Sequence, residues 1–465
     1  MEPDLSSLNL STAIEALRRR EFTSLELTEA CLRQIERFNP EINAFITPAP
    51  ELAVQAALQA DALIFLQPSN LNDLALLGAP VALKDLFETQ GLRTTAGSKF
   101  FDENIPYQDA QTVLKLKLAG AVILGKTNTH EIALGVTGIN PHFGAVKNPW
   151  DQSRISGGSS SGSAAAVTTG MCLAALGTDT GGSVRIPASL CGVVGLKPTL
   201  GRVSTRGVLP LSWNLDHVGT LTRTVRDAAL MLQVLAGFDP HDPASLDMPV
   251  DDYLVHLEDG LKGWRVAFAV GDYIESTDPL VWKGVQEAGK VFKALGARVE
   301  KVDLSWITDL AQANSRMTQA DAAAIHHQRL IENPDWFGPD VRQRLETGAS
   351  LSSGEYALAR EMQVEGRRFF ELFFSKYDLL LMPTTPVTAP LIEGTAALEA
   401  AGLLTRFTSP FNLTGLPALS VPCGWVGGLP YGLQMVAPHW GEVKLLQGGY
   451  AYEQATGWNN KHPAS

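Results

Sequence analysis

Residues 156–185 read SGGSSSGSAAAVTTGMCLAALGTDTGGSVR, two glycine-flanked serine clusters joined by a small, apolar stretch. Glycine lets the backbone approach a ligand closely and take up positive φ. Successive N–H groups in such turns can point into one concavity and stabilise an anion. Two such turns, each presenting serines, predict nucleophilic chemistry beside an oxyanion site. A Gly/Ser linker has similar composition, but AAAVTTGMCLAALG between the clusters is too apolar to stay solvated.

The 465 residues exceed the usual single-core size, which allows two or three domains or one large α/β unit. Hydrophobic residues make up 45% and charged ones 18%, enough apolar material for a sizeable core. A net charge of −12 argues against nucleic acid or an anionic membrane as the main partner. The start, MEPDLSSLNLS, is too polar for a secretory signal. No apolar run reaches the length of a membrane span. The expectation is a soluble, cytoplasmic protein without membrane partners. Cys31, Cys172, Cys191 and Cys423 form no CxxC pair, His326 and His327 are adjacent, and no HExxH occurs. These spacings predict buried thiols and no metal site.

In chain order, Thr12 with Glu15 and Thr23 with Glu26 read as capping boxes opening helices over 12–20 and 24–37, the second ended by Asn39-Pro40. Residues 50–64 read as helix and Asn70 to Asp73 as loop. Pro80 to Leu83 is a short apolar run suited to a buried strand, with Lys84 at its end. Residues 126–154 read as mostly loop. The clearest break in composition is FDPHDPASLDMPVDD at 238–252, acidic and proline-rich. Beyond it, RVAFAV, a helix over 279–295 and ARVEKVDL form a βαβ pattern. Residues 308–375 read as helical, and strands and a closing helix follow. The alternation predicts a layered α/β architecture.

Gly158 to Gly162 matches GxSxG, but that elbow needs a buried strand before it. Here the polar NPWDQSRIS precedes it. A phosphate-binding loop fails as well, because no Gly-Lys-Ser/Thr follows the glycines. The remaining arrangement is serine with lysine. Ser183 follows Gly181-Gly182 after an apolar run, and a serine hydroxyl needs a base. Neither turn holds a histidine. Lys84, at the end of a buried strand, can be desolvated toward its neutral form.

These residues resemble the amidase signature family. GGSSSGSAAA and LGTDTGGSVRIPASLCGVVGLKPTLGRVS look like its defining motif, and GAPVALKD like its lysine motif. NLTGLPALSVPCG and YGLQM resemble its C-terminal pattern, so the likeness spans nearly the whole chain around a core at about 78–226. The resemblance implies a single α/β/α layered domain over 1–465, a large mixed β-sheet covered by helices, with the break at 238–252 at most a lobe boundary. It implies a Ser–cis-Ser–Lys triad and no cofactor. Residue by residue, Lys84 falls on the base, Ser159 on the bridging serine and Ser183 on the nucleophile. Thr180, Gly181, Gly182 and Ser183 fall on the oxyanion hole, Ala133 lines the acyl pocket, and Thr137 to His142 lie near it. Ser160, Asp179 and Arg185 read as structural support. Ser161 departs from the family, where a glycine is usual.

The implied activity is amide hydrolysis through an acyl-enzyme. The substrates expected are small neutral or aryl amides, with esters and carbamates as further candidates. The expected partner is a small-molecule amide and not nucleic acid. The alternative is the glutamine-hydrolysing subunit of a tRNA-dependent amidotransferase. Against it, the glutaminase members place an aspartate shortly before a Thr-x-x-x-Asn stretch. Here that stretch is Thr408 to Asn412 and the matching position is Thr405. Arg344 matches the arginine those members use for the substrate carboxylate. A catalytically dead binding module is disfavoured by the intact Lys84, Ser159 and Ser183.

Overall fold

The computed structural model of the protein describes residues 5–66, 74–394, 396–458, 461 and 463. The loop expected at Asn70 to Asp73 lies outside them. Thirteen strands occur among the described residues: β1 Phe45–Pro48, β2 Pro80–Lys84, β3 Val122–Thr127, β4 Lys147–Asn148, β5 Asp151–Ile155, β6 Ala174–Asp179, β7 Val194–Lys197, β8 His217–Thr222, β9 Arg265–Val270, β10 Arg298–Asp303, β11 Leu379–Pro383, β12 Ala418–Val426 and β13 Leu429–Val436. Eleven form one sheet in the order β1-β3-β2-β6-β8-β7-β12-β13-β11-β9-β10, and β4 pairs with β5 apart from it. β2 runs parallel to β3 and β6, and β9 runs parallel to β10 and β11. The other pairings are antiparallel, so the sheet is mixed.

Successive side chains of a strand point to opposite faces, and here both faces are covered. On β9 and β11, Val266, Phe268, Leu379 and Leu381 join a core with the helices 279–294 and 442–456. Their alternates Ala267, Ala269, Leu380 and Met382 join a second core with the helices 307–325 and 353–374. That two-sided burial explains why β2, β6 and β11 read as unbroken apolar runs rather than as alternation. The acidic 238–252 stretch contains neither helix nor strand, and the sheet runs on across it. No described helix is long and apolar enough to cross a membrane.

Local sequence signals account for most element ends. Thr23 and Glu26 form the expected capping box. Thr12 and Glu15 do not: that helix begins at Leu10, and its first N–H groups donate to the Asp227 carboxylate at 3.2 and 2.8 Å. The next helix continues through Pro40 to Ile42, ending on Asn43 in the left-handed region. Pro40 has no N–H to donate to the Glu36 carbonyl, and the helix stops within one turn after it. β5 lies in a polar segment that reads as turn; it is edged by β4 and bonded to Pro390 rather than buried in the sheet.

Candidate active site

The site forms where two parallel neighbours end. β2 and β6 pair with Leu83 opposite Leu176, so Lys84 and Thr178 emerge together at the carboxyl ends of their strands. Crevices at such strand ends are where open α/β sheets place their chemistry. Lys84 is wholly buried and its Nζ donates to Ser159 Oγ and Thr178 Oγ1, both at 2.7 Å. Burial pushes its pKa down to about 7, against the opposing pull of the Asp179 and Asp216 carboxylates. The Gly158–Ser159 peptide bond is cis. The Ser159 carbonyl accepts from Thr129 Oγ1 at 2.8 Å and from the His130 N–H at 3.2 Å.

Ser160 ties this loop to the second serine cluster. Its N–H donates to the Ser183 carbonyl at 3.1 Å, and its hydroxyl donates to the Thr178 carbonyl at 3.2 Å. Ser163 reaches Leu176 O, and Ser161 only its own loop at Ser159 O.

Asp179 organises the turn that carries Ser183. It accepts from the N–H groups of Gly182 at 2.8 Å and Val184 at 3.1 Å, and from Arg185 Nε and Nη2. Arg185 is itself fully buried, and donates onward to Thr408 O, Gln434 Oε1 and Asn412 Oδ1. Burial pushes the Asp179 carboxyl up, but the Arg185 guanidinium, Lys197 and Asn412 outweigh it and hold the carboxyl far below its usual range. Because Gly182 gives its N–H to Asp179, it drops out of the expected oxyanion set. The N–H groups of Thr180, Gly181 and Ser183 have no partner among the described residues. Thr180 Oγ1 donates to Asp216 at 2.6 Å, and Asn314 donates to the Thr180 carbonyl, fixing the turn from its other side.

Ser183 opens onto a cavity of about 130 Å³ whose wall includes Ala133, Thr180, Gly181, Arg344 and Thr405. Ala133 sits there with φ +61°. Thr137 is not part of that wall; its hydroxyl lies 3.4 Å from His130 Nδ1. Lys197 is buried with its amine on the Pro198 carbonyl at 3.0 Å. Thr178, Asp216 and Asn314 escape a reading of the sequence, whereas Asn412 and Gln434 lie in NLTGLPALSVPCG and YGLQM without their contacts to Arg185 being legible there. Their roles arise from pairings between distant segments, and of the first three only Thr178, within GTDTGGS, has a local signal.

A serine-bearing turn with unpartnered N–H groups, beside a desolvated lysine hydrogen-bonded to a second serine, is suited to attack on a carbonyl carbon, the chemistry of an enzyme that hydrolyses amide C–N bonds. The amidase family model matches residues 26–446, and the chain belongs to that family, the amidase signature enzymes. The A subunit of the glutamyl-tRNA(Gln) amidotransferase from Geobacter metallireducens is 41% identical over 98% of this chain and 99% of its own. A chain from an inhibitor-bound vestigial protein complex, which reveals the origins of an s-triazine catabolic enzyme, superposes with a TM-score of 0.91. It is 32% identical and covers 97% of this chain and 99% of that one. A bacterial aryl acylamidase of the amidase signature family superposes with a TM-score of 0.88 at 27% identity, over 97% and 96% of the two chains.

These relatives correct one expectation. A small-molecule amide as partner, with nucleic acid excluded, conflicts with close relatives named as subunits of a tRNA-dependent amidotransferase. Net charge describes the field of one chain. One member of a larger assembly needs no basic surface of its own, so −12 excludes less than its sign suggests.

Proposed function

We propose that this chain is the amide-hydrolysing subunit of an amidotransferase, releasing ammonia from a donor amide through an acyl-enzyme on Ser183. The observation that carries the chemistry is the buried 2.7 Å contact between Lys84 and Ser159 beside the Ser183 turn. Neutral Lys84 takes a proton through Ser159 as Ser183 Oγ attacks the carbonyl carbon. The N–H groups of Thr180, Gly181 and Ser183 supply the donors for the developing oxyanion, usually the largest electrostatic contribution in acyl transfer. Ser159 then hands a proton to the departing amine, which leaves as ammonia. Water attacks the ester by the reverse relay, and the acid and the free serine are restored. Arg344, on the cavity wall, receives the donor's carboxylate. The subunit role is supported by the 41% identity to the Geobacter amidotransferase chain over nearly both full lengths.

Thr405 favours a second reading. It stands on the cavity wall where the glutaminase members carry an aspartate, and it cannot pair an ammonium. Burying that ammonium unpaired costs desolvation, so the same triad would then act on an amide other than glutamine.

Two measurements test these readings. A sulfonyl fluoride is expected to label Ser183 stoichiometrically, and Ser183→Ala to reduce turnover to near background; label on Ser160 or Ser161 instead would sink the mechanism. Ammonia release from glutamine is then compared with release from glutaramate and an anilide. Turnover of glutamine supports the subunit reading. Turnover of the others without glutamine supports the second.

A further inference from the structure

Arg344 is the one charged side chain on the wall of the Ser183 cavity, and it makes no hydrogen bond or ion pair among the described residues. That freedom needs a cause. Asp340 lies four positions earlier on the same helix, Pro339–Ser350, at the spacing where an aspartate and an arginine ordinarily pair. The pair does not form, and Asp340 Oδ2 is instead engaged by His130 Nε2 at 3.0 Å. The imidazole is almost fully buried and the Asp340 carboxylate mostly so, which fixes this contact better than a surface bridge. Its other nitrogen lies against Thr137 Oγ1. Burial raises the Asp340 carboxyl, but the His130 contact and the charge of Arg344 bring it below its ordinary value. Next to His130, buried Glu131 accepts from the Gly338 N–H at 2.7 Å and from Ser98, and His142 Nε2 lies 2.9 Å away, so the start of the helix is pinned.

We propose that His130 is a positioning residue that keeps Arg344 available: by occupying Asp340, it prevents the intrahelical ion pair and leaves the guanidinium facing the cavity for the carboxylate of the donor. The proposal rests on the reading that the cavity receives such a carboxylate. The same histidine donates its backbone N–H to the Ser159 carbonyl. One residue therefore references the anion-binding arm to the bridging serine. The interaction is invisible along the chain because its partners come from segments far apart in sequence.

The test uses the Ser183→Ala protein, in which no chemistry occurs, and measures binding of glutaramate by isothermal titration calorimetry. His130→Leu frees Asp340 to capture Arg344, and Kd is expected to rise about tenfold, the scale of one charged hydrogen bond. His130→Leu combined with Asp340→Asn removes the competitor and is expected to restore binding. His130→Gln, which can still donate to Asp340, is expected to hold Kd within about twofold. A merely structural role gives no such rescue, because the double variant would then bind as weakly as His130→Leu or worse. If His130→Leu does not fold, Asp340→Asn alone decides: equal or tighter binding supports the proposal, and a tenfold loss overturns it. Failure of the parent to bind glutaramate also overturns it. Loss of Ser183 labelling would instead defeat the hydrolase mechanism and leave the binding result standing.

Discussion

Lys84 shows how much one buried residue sets. With its pKa brought down to about 7 by burial, kcat/KM should rise with pH through that value as the amine becomes neutral, and then level. A pH–rate profile flat from 6 to 9 would contradict this. Stability carries the same signature. Above about 10.5, the ordinary lysine value, the amine is neutral folded or unfolded. As pH falls from there toward 7, the unfolded chain binds a proton that the folded chain refuses, so the folded state loses stability. At about 1.4 kcal/mol per pKa unit the loss reaches a few kcal/mol. Lys84→Met should therefore be inactive, and its urea midpoint relative to the parent should climb between pH 10 and pH 7. A gap that does not change with pH would count against a desolvated amine. The position of Lys84 at the end of an apolar run was legible in the sequence. Thr178 as its second partner was not, because that contact depends on the register of β2 against β6, and nothing along either strand specifies it.

The Ser183 turn is an element organised around the Asp179 carboxylate. Asp179 spends its oxygens on three backbone N–H groups, those of Gly182, Val184 and Arg185, and on the Arg185 guanidinium and Asn412. Asp179 and Arg185 are both wholly buried, and removing one partner of such a pair leaves an uncompensated charge. Asp179→Asn is expected to cost about 3–5 kcal/mol in urea unfolding. It should also free the Gly182 N–H and lower kcat. A loss below about 1 kcal/mol would mean the turn holds its shape without the ionic contact. Elements were legible where the residue pattern is local, whether a buried apolar run or the valines set among charges in the exposed β10. β2, β3, β9 and β11 are apolar runs, and Thr23 with Glu26 announces a helix start. β5 was missed because its residues are polar, and the start at Leu10 because its cap is Asp227, contributed from far along the chain.

At the scale of the whole molecule, one sheet continues from β1 to β10 across the break at 238–252. We expect unfolding as one cooperative unit, seen as a single calorimetric transition whose van't Hoff and calorimetric enthalpies agree. Two separated transitions would divide the chain at that break. The layered α/β class was legible from alternating periodicity. Strand order was not, because β7 pairs with β12 and β11 with β9 over separations that leave no local trace. Arg185 gives this continuity a practical meaning. All three positions of the proposed triad precede residue 238, yet three of the acceptors that anchor Arg185, namely Thr408, Asn412 and Gln434, lie near the far end. An amino-terminal fragment would thus contain the whole reacting set and still lack a shaped turn. The chain is in effect a natural split reporter. Fragments divided within 238–252 should each be silent toward the Ser183 label, and recover labelling only when expressed together.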